Sequence, residues 1–352
     1  MNEKLPFVSI IIPCRNEEKF IQKCLGSLVE QDYPKERLEI LVADGSSEDK
    51  TREIAGGFVE RYPFIKILNN PKKNTPSGLN IGIKGARGEF IARMDAHAEY
   101  EKEYISKCVK YIKEYGVDNI GGVMITISRK DTALGRAIVA VLSHPFGVGN
   151  AIFRIGAEKP ILVDTVFGGF YKREVFERIG YFNENLHRGQ DMEFNLRLRK
   201  SGGKILLVPE IKSFYYARSG FFSFWQHSFT DGAELISPLR LGVVIFSWRH
   251  LAPLVFVLGL IILSLLSFFS QKFLWLLIAF SGLYFLVNLY FSAMISFKEK
   301  DFRYLFFAPI AFTLLHIGYG LGSFYGLIKL FSSKSFLSKS SKKIKPTIKT
   351  NQ

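Results

Sequence analysis

At 352 residues the chain has room for one large domain and an accessory part, and 47 Lys and Arg against 32 Asp and Glu leave it with a formal charge of +15. Nucleic acid is excluded as the reason for that charge: no basic helix with interleaved aromatics occurs in the N-terminal part, and much of the excess lies on a tail carrying Lys329, Lys334, Lys339, Lys342, Lys343, Lys345 and Lys349, as expected for attraction to anionic lipid headgroups. Cys14, Cys24 and Cys108 have neither metal-ligand spacing nor the number for a disulfide framework, so they are expected as reduced thiols.

In chain order, residues 1–13 hold only a short apolar strand with no small-residue cleavage site, which argues against a secretory signal and for a cytoplasmic N-terminal domain. Residues 7–13 (FVSIIIP) form a near-continuous β-branched run, the mark of a strand buried on both faces. A helix is predicted over 18–30, with Phe20, Ile21, Leu25 and Leu28 at helical spacing. A strand over 38–42 precedes a helix opening at Ser47-Glu48-Asp49 and running to Arg61, its acidic start suiting the helix dipole. A third strand spans 65–68, Ser77 is expected to cap a helix reaching Ala86, and residues 89–94 form the next strand. Strands alternating with helices mean βαβ units and a mostly parallel sheet, an α/β fold. Helices are expected over 101–115, 173–179 and 191–200, a strand over 119–127, and a helix with a mobile loop over 134–150. In 164–170 (DTVFGGF), Gly168 and Gly169 mark a close backbone approach.

The C-terminal third differs in kind. Residues 251–270, 273–297 and 304–328 contain no Asp, Glu, Lys or Arg. A hydrocarbon crossing needs about 20 apolar residues, so each run is long enough to span. Residues 216–250, with Phe221, Phe222, Phe224 and Trp225, are expected to lie at the interface, and 329–352 to be a basic, disordered tail. Arg249, His250, Lys298, Lys300 and Arg303 fit an inside location, but three crossings place the lysine tail outside, so either the tail breaks the positive-inside tendency or one run is re-entrant. Gly318, Gly322 and Gly326, four residues apart, let another helix approach closely. His316, in mid-run, is read as making a neutral interhelical hydrogen bond.

The chemistry is concentrated at strand ends. Asp95-Ala96-His97 follows Phe90-Ile91-Ala92, placing two metal-capable side chains at the carboxyl lip of a strand, where open α/β sheets bind ligands. On a straight strand both would share one face. Neither G-x-G-x-x-G nor G-x-x-x-x-G-K-[ST] follows a strand, so phosphate must be held by metal and side chains rather than by a glycine cradle. Asp44 reads equally as a turn residue before Gly45, Asp191 as a helix N-cap, Glu193 as solvated or supporting, and Lys72 and Lys73 as a solvated pair.

Four ordered blocks, VSIIIPCRNE, ADGSSEDKT, SGLNIGIKGARGEFIARMDAHA and GGFYKREVFERIGYFNENLHRGQDMEFNLRLRKSG, resemble the family 2 glycosyltransferases of GT-A fold over about residues 7–210. With the DAHA form and three C-terminal apolar runs, the pattern is closest to the membrane-bound transferases of succinoglycan-type exopolysaccharide synthesis. The resemblance implies that Pro13, Arg15, Asn16 and Glu17 line the nucleotide pocket and that Asp44 and Asp95 contact the nucleotide. It implies that Asp95 and His97 hold Mn²⁺ or Mg²⁺, that Gly168, Gly169 and Gln190 shape the acceptor side, and that Asp191 is the catalytic base. Gln190 stands where the family has an acid, and the Gln-x-x-Arg-Trp motif of processive synthases is absent, with Gln226 the nearest candidate. The resemblance therefore implies an inverting enzyme of the inner cell membrane, multi-pass with a cytoplasmic catalytic domain. It would move a single sugar from a nucleotide-diphosphate donor, a UDP-sugar first, to a lipid-linked acceptor among membrane lipids. A polyprenyl-phosphate sugar synthase and a non-catalytic membrane scaffold are the alternatives.

Overall fold

The computed structural model describes residues 5–186, 188–245 and 247–332. Its centre is β1 (Val8–Cys14), an almost wholly buried strand paired in parallel with β2 (Leu38–Asp44) on one side and β4 (Phe90–Arg93) on the other. Alternation divides β1 between two cores. Val8, Ile10 and Ile12 face α1 (Ile21–Val29), α2 (Thr51–Arg61) and α4 (Tyr104–Tyr115). Ile11 faces α3 (Thr75–Gly85), α8 (Arg173–Ile179) and α9 (Gln190–Lys200). A strand covered by helices on both faces must be apolar throughout, which is why no polar alternation shows in FVSIIIP.

Among the described residues the sheet has nine strands. β3 (Ile65–Asn69) extends the parallel half beyond β2. On the other side β8 (Phe170–Lys172) runs antiparallel between β4 and β6 (Asn119–Ser128), and β9 (Ile205–Ala217) pairs in parallel with β6. β5 (Ala98–Tyr100) and β7 (Ile161–Leu162) each pair antiparallel with β9. The α/β expectation holds, with the parallel half confined to the N-terminal strands and a mixed half beyond β4. β9 and β5 had no counterpart in the sequence reading. β5 is only three residues long, and β9 is split by Pro209 and a register shift opposite β6 between Gly121 and Val123.

Local differences have local causes. The cap of α3 is Asn74, whose side chain accepts from the Ser77 N–H at 2.9 Å, so Ser77 is inside the first turn and not the cap. α2 starts at Thr51 rather than Ser47, because Ser47 and Glu48 are tied to the loop after β1. The 134–150 region is α5 (Ala133–Leu142) and α6 (Pro145–Val148), followed by α7 (Ile152–Ile155). The three cysteines are buried and free, and burial beside Asp44 and Glu17 pushes the Cys14 thiol up to about 12.

After β9, α10 (Phe221–Ile236) leads to α11 (Trp248–Ser267), α12 (Gln271–Glu299) and α13 (Tyr304–Ser332). Among the described residues these last three are long and apolar enough to cross a membrane. The four-residue glycine repeat is spent on α10. A Cβ on Gly322 would lie 1.9 Å from the Phe229 carbonyl oxygen, and one on Gly326 would lie 2.7 Å from that of Ala233. In return a Cβ on Gly232 of α10 would lie 2.0 Å from the Tyr319 carbonyl oxygen. Only glycine on both sides lets the two backbones cross this closely. Phe224 is buried in this contact while Phe221 and Phe222 stay exposed. α5 packs on the same bundle through Ala137, Ile138 and Val141 against Ala308, Ala311 and Phe312. His316 links its neighbours as expected, Nδ1 to the Tyr284 hydroxyl at 3.1 Å and Nε2 to the Phe146 carbonyl at 2.9 Å. The tail beyond Ser332 lies outside the described residues.

Candidate active site

Parallel pairing brings the carboxyl ends of β1, β2 and β4 to one edge, and a cavity of about 1020 Å³ opens there and continues to α10, α11 and α13. Its entrance is built from two loops laced together. The Asn16 N–H donates to the Ser47 hydroxyl (3.0 Å), the Glu48 N–H to the Asn16 side-chain oxygen (2.9 Å), and the Glu17 N–H to the Thr51 hydroxyl (2.6 Å). Asn16 adopts φ +56°, a left-handed conformation that asparagine tolerates better than most residues. The blocks RNE and DGSSEDKT thus form one rim.

Pro13, Arg15, Asn16, Glu17, Asp95, His97, Gln190 and Asp191 all line the cavity. Arg15 is half-exposed and pairs with Glu48 at 3.4 Å. Asp44 stands apart: it is buried, absent from the lining, and both its oxygens are engaged, one by the Ser47 hydroxyl (2.6 Å) and the other by Arg52 (3.0 Å). Gly168 and Gly169 also sit behind the wall. Both have positive φ, and a Cβ on Gly168 would lie 2.7 Å from the Arg93 carbonyl oxygen, so the close approach inferred for this pair is to the β4 backbone for Gly168 and to the Tyr171 ring for Gly169. Lys72 pairs with Glu184 at 2.6 Å, and Glu193 is buried against Arg197 at 2.6 Å.

Asp95 and His97 are not on a straight strand. β4 ends at Arg93, and the two residues occupy a turn closed by the Ala98 N–H donating to the Asp95 carbonyl (3.2 Å) and by the Asp95 N–H donating to the Tyr100 hydroxyl (2.8 Å). The turn, not strand alternation, aims both side chains into the cavity. His97 Nδ1 faces Glu17 Oε1 at 3.2 Å. Burial pushes the imidazole pKa down, but the Glu17 hydrogen bond and the Asp95 and Glu17 charges outweigh it and hold the pKa above its ordinary value.

The residue that organises the centre is Arg93. Nearly buried on β4, its guanidinium reaches Asp95 Oδ1 and Asp191 Oδ2, each at 3.3 Å. Burial disfavours its charge, and the two carboxylates more than offset that. Asp191 lies in the first turn of α9, whose N-cap is Gly189 at φ +70° with no capping side chain. Asp191 is therefore not the N-cap, and its carboxylate projects into the cavity. Beside it, Gln190 is 7% exposed, and its Oε1 has no hydrogen-bond partner among the described residues.

Residues 9–180 match the family model described as Glycosyl transferase family 2. A curated relative from Methanococcus voltae, a dolichyl N-acetyl-α-D-glucosaminyl phosphate 3-β-D-2,3-diacetamido-2,3-dideoxy-β-D-glucuronosyltransferase, is 32% identical over 92% of this chain and 98% of its own. The chain belongs to glycosyltransferase family 2. The succinoglycan biosynthesis protein ExoA of Rhizobium meliloti (strain 1021) is 28% identical over 62% of this chain and 66% of its own. The fold is that of a solved mannosyltransferase from Pyrobaculum calidifontis in complex with GDP-Man and Mn²⁺, with TM-score 0.61 and 18% identity over 93% of this chain and 88% of that one.

Much of the far wall of this family 2 glycosyltransferase carries no signal in the sequence. Arg154, Arg188, Arg218, Tyr215 and His227 line the cavity and come from α7, the approach to α9, the end of β9 and α10. Each is an isolated residue in an unremarkable stretch, so spacing carried no signal. His227 adjoins Gln226, the nearest candidate for the absent Gln-x-x-Arg-Trp motif, and carries no signal of its own. Arg93 had a usable signal, a charged residue ending an otherwise apolar buried strand, which demands a buried counter-charge.

Proposed function

We propose that this glycosyltransferase is membrane-bound and inverting, moving one sugar from a nucleotide-diphosphate donor, a UDP-sugar, to a lipid-linked glycan. The observation that carries this reading is the placement of Asp95 and Asp191 on two nitrogens of the Arg93 guanidinium, in a cavity that continues to α11 and α13, two of the three helices long enough to span a bilayer.

Asp95 and His97 would hold a divalent ion. The donor set fits: His97 turns Nδ1 to Glu17, an arrangement that orients a ligating imidazole and leaves Nε2 for the ion. Among the described residues no group of three or more His, Cys, Asp or Glu side chains is placed to hold a metal. Mg²⁺-type sites commonly take one or two protein carboxylates and complete their shell with substrate phosphates and water, so a two-residue site suits an ion that arrives with a nucleotide diphosphate. When bound, Mn²⁺ or Mg²⁺ supplies Lewis-acid neutralisation of the leaving diphosphate.

The chain's own groups do the rest. Pro13, Arg15 and Glu17 flank the nucleotide. Asp44 supports that rim, and contacts the base or ribose only by releasing Ser47 or Arg52. Asp191 accepts the proton of the acceptor hydroxyl as that oxygen bonds to the anomeric carbon and the carbon–oxygen bond to the diphosphate breaks, a single displacement with inversion. Arg93 holds the Asp191 carboxylate in place at 3.3 Å. The buried, unpartnered Gln190 oxygen is an acceptor for a hydroxyl of the incoming sugar. The match along nearly the whole length of a transferase named for a dolichyl phosphate acceptor supports the lipid-linked acceptor.

Membranes containing the full chain, incubated with a panel of radiolabelled nucleotide sugars and extracted with organic solvent, test this. Label in the lipid fraction that requires a divalent cation and Asp191 is expected. Transfer that persists unchanged in Asp191→Asn removes the base from the mechanism. Label confined to water-soluble products rejects the lipid acceptor.

A further inference from the structure

The cavity has a second charged end, which sugar transfer as described leaves without a role. Arg154, Arg188 and Arg218 line it where α10, α11 and α13 close it off. Arg154 Nη1 is sealed from solvent and, among the described residues, has neither a hydrogen-bond partner nor a paired carboxylate; the guanidinium lies over the Tyr215 ring at 5.6 Å. Arg218 likewise makes no hydrogen bond or ion pair with a described residue. Arg188 is paired with Asp231, which also faces His227 Nε2 at 3.4 Å. Glu234 is the remaining carboxylate on this part of the wall, and Arg249 is taken up by Asp164 at 2.9 Å and Asn150 at 3.0 Å. Positive charge is in excess here, and it converges: burial and then Arg218, Arg188 and Arg154 push the His227 pKa down to about 3, despite the nearby Asp231.

Shielded cationic groups without partners are costly, and they persist where a ligand brings the counter-charge. The guanidinium fork matches phosphate oxygens in bidentate fashion, with charge-assisted hydrogen bonds roughly twice as strong as neutral ones. Two phosphates can reach this cavity, one on the donor and one on a lipid-linked acceptor. Position decides between them. The donor end is at Asp95 and His97; Arg154 lies over the Tyr215 ring at 5.6 Å, and these two residues share with Arg218, Phe224, Ser228 and Leu315 a recess that does not include Asp95, His97 or Asp191. Beside the arginines, two of the spanning helices contribute Pro253 and Leu315 to the wall, together with His250, His316 and Tyr319. An anion there with a hydrocarbon tail leaves along those helices, and a sugar attached to it points back towards Gln190 and Asp191.

We propose that Arg154, Arg188 and Arg218 form the binding site for the phosphate of the lipid-linked acceptor, at the end of the cavity beside α10, α11 and α13. This rests on the lipid-acceptor reading above and specifies what part of that acceptor the chain recognises.

The test uses the full chain in lipid nanodiscs, with a short polyprenyl monophosphate, the matching polyprenol, and UDP with Mn²⁺ as three separate probes. The wild type is expected to bind the monophosphate at least about tenfold more tightly than the alcohol, as a charge-assisted site requires. Arg154→Gln and Arg218→Gln should each weaken monophosphate binding by about tenfold or more, while UDP–Mn²⁺ binding changes by less than about twofold, as for independent sites. Arg218→Gln removes no hydrogen bond or ion pair with a described residue, so it carries the test even if Arg154→Gln does not fold. Arg154→Lys, which keeps charge but not the fork, should fall between wild type and Arg154→Gln. Variants that weaken UDP–Mn²⁺ and spare the monophosphate would assign the arginines to the donor and overturn the proposal. So would equal binding of alcohol and monophosphate by the wild type. The underlying reading fails in a different way, through wild-type transfer to water-soluble acceptors only. Lipid transfer by the wild type with unaltered monophosphate affinity in both variants overturns the arginine site alone.

Discussion

The two ends of the cavity are built by opposite strategies. At the nucleotide end, short runs of adjacent residues sit on loops that follow parallel strands, and those loops are fastened to each other by backbone-to-side-chain hydrogen bonds such as Asn16 to Ser47 and Glu17 to Thr51. At the bundle end, single arginines from α7, the approach to α9 and the end of β9 meet side chains of α10 and α13, and backbone contact between glycines holds the helices together. The first end is rigid because its own peptide groups are satisfied locally. The second depends on docking between distant parts of the chain and carries charge that the fold itself leaves without counter-ions. One end suits a soluble, charged donor met repeatedly in the same pose. The other suits a ligand that supplies an anion and a tail.

The largest expected effect breaks the boundary between the ends. Asp191→Asn should lower transfer by about 10²- to 10⁴-fold, the usual worth of a positioned base, and leave UDP binding intact. Asp95→Asn should lower transfer and also abolish the metal dependence of UDP binding. Radiolabelled transfer and UDP titration with and without Mn²⁺ separate the two. Next is Arg93→Met, which leaves Asp95 and Asp191 facing each other without the cation between them. Breaking a buried pair costs about 3 to 5 kcal/mol, and the partial exposure of Asp191 brings the expectation to the lower figure. A melting curve equal to wild type would show that Arg93 does not organise the centre.

Gly322→Ala addresses the bundle end alone. Its Cβ would lie 1.9 Å from the Phe229 carbonyl, so α10 must shift from α13. Overpacking of this kind costs about 1 to 3 kcal/mol, partly offset by the better helix propensity of alanine. Thermal stability and lipid transfer should fall while UDP–Mn²⁺ affinity holds; a fall in both affinities would mean that the ends are mechanically coupled. The smallest effect is a pH dependence. His227 has a depressed pKa in the folded chain, so it stays neutral where the unfolded chain takes up a proton. Stability should therefore decline as pH falls from about 6.5 towards 3, by about 1 kcal/mol at pH 5 after allowance for partial exposure. In His227→Gln the decline between pH 7 and 5 should be shallower by that amount; parallel profiles would place the titration elsewhere.

How far the sequence could be read followed the same division. The apolar run of β1, the helical spacing of α1 and the uncharged runs of α11 to α13 are local patterns, and each appears where expected. The rim residues Arg15, Asn16 and Glu17 and the pair Asp95 and His97 were legible because they follow apolar strands directly. Asp44 shows the limit: a carboxylate at the right strand end is turned away from the cavity by Ser47 and Arg52. Gly168 and Gly169 are a close approach, but Gly168 approaches the backbone of Arg93 and Gly169 the ring of Tyr171.

By itself the sequence determined the N-terminal strands and helices, the α/β class, the long apolar runs and the polar residues at the strand ends, because these depend on periodicity and on residues a few positions apart. The tertiary structure alone decided that Arg93 joins Asp95 to Asp191, that α10 is the partner of the α13 glycines, and that Arg154, Arg188 and Arg218 face one space. Side chains from segments far apart in the chain converge only once the sheet and bundle have packed. A lone arginine in a sequence carries no mark of the counter-charge it will meet or lack.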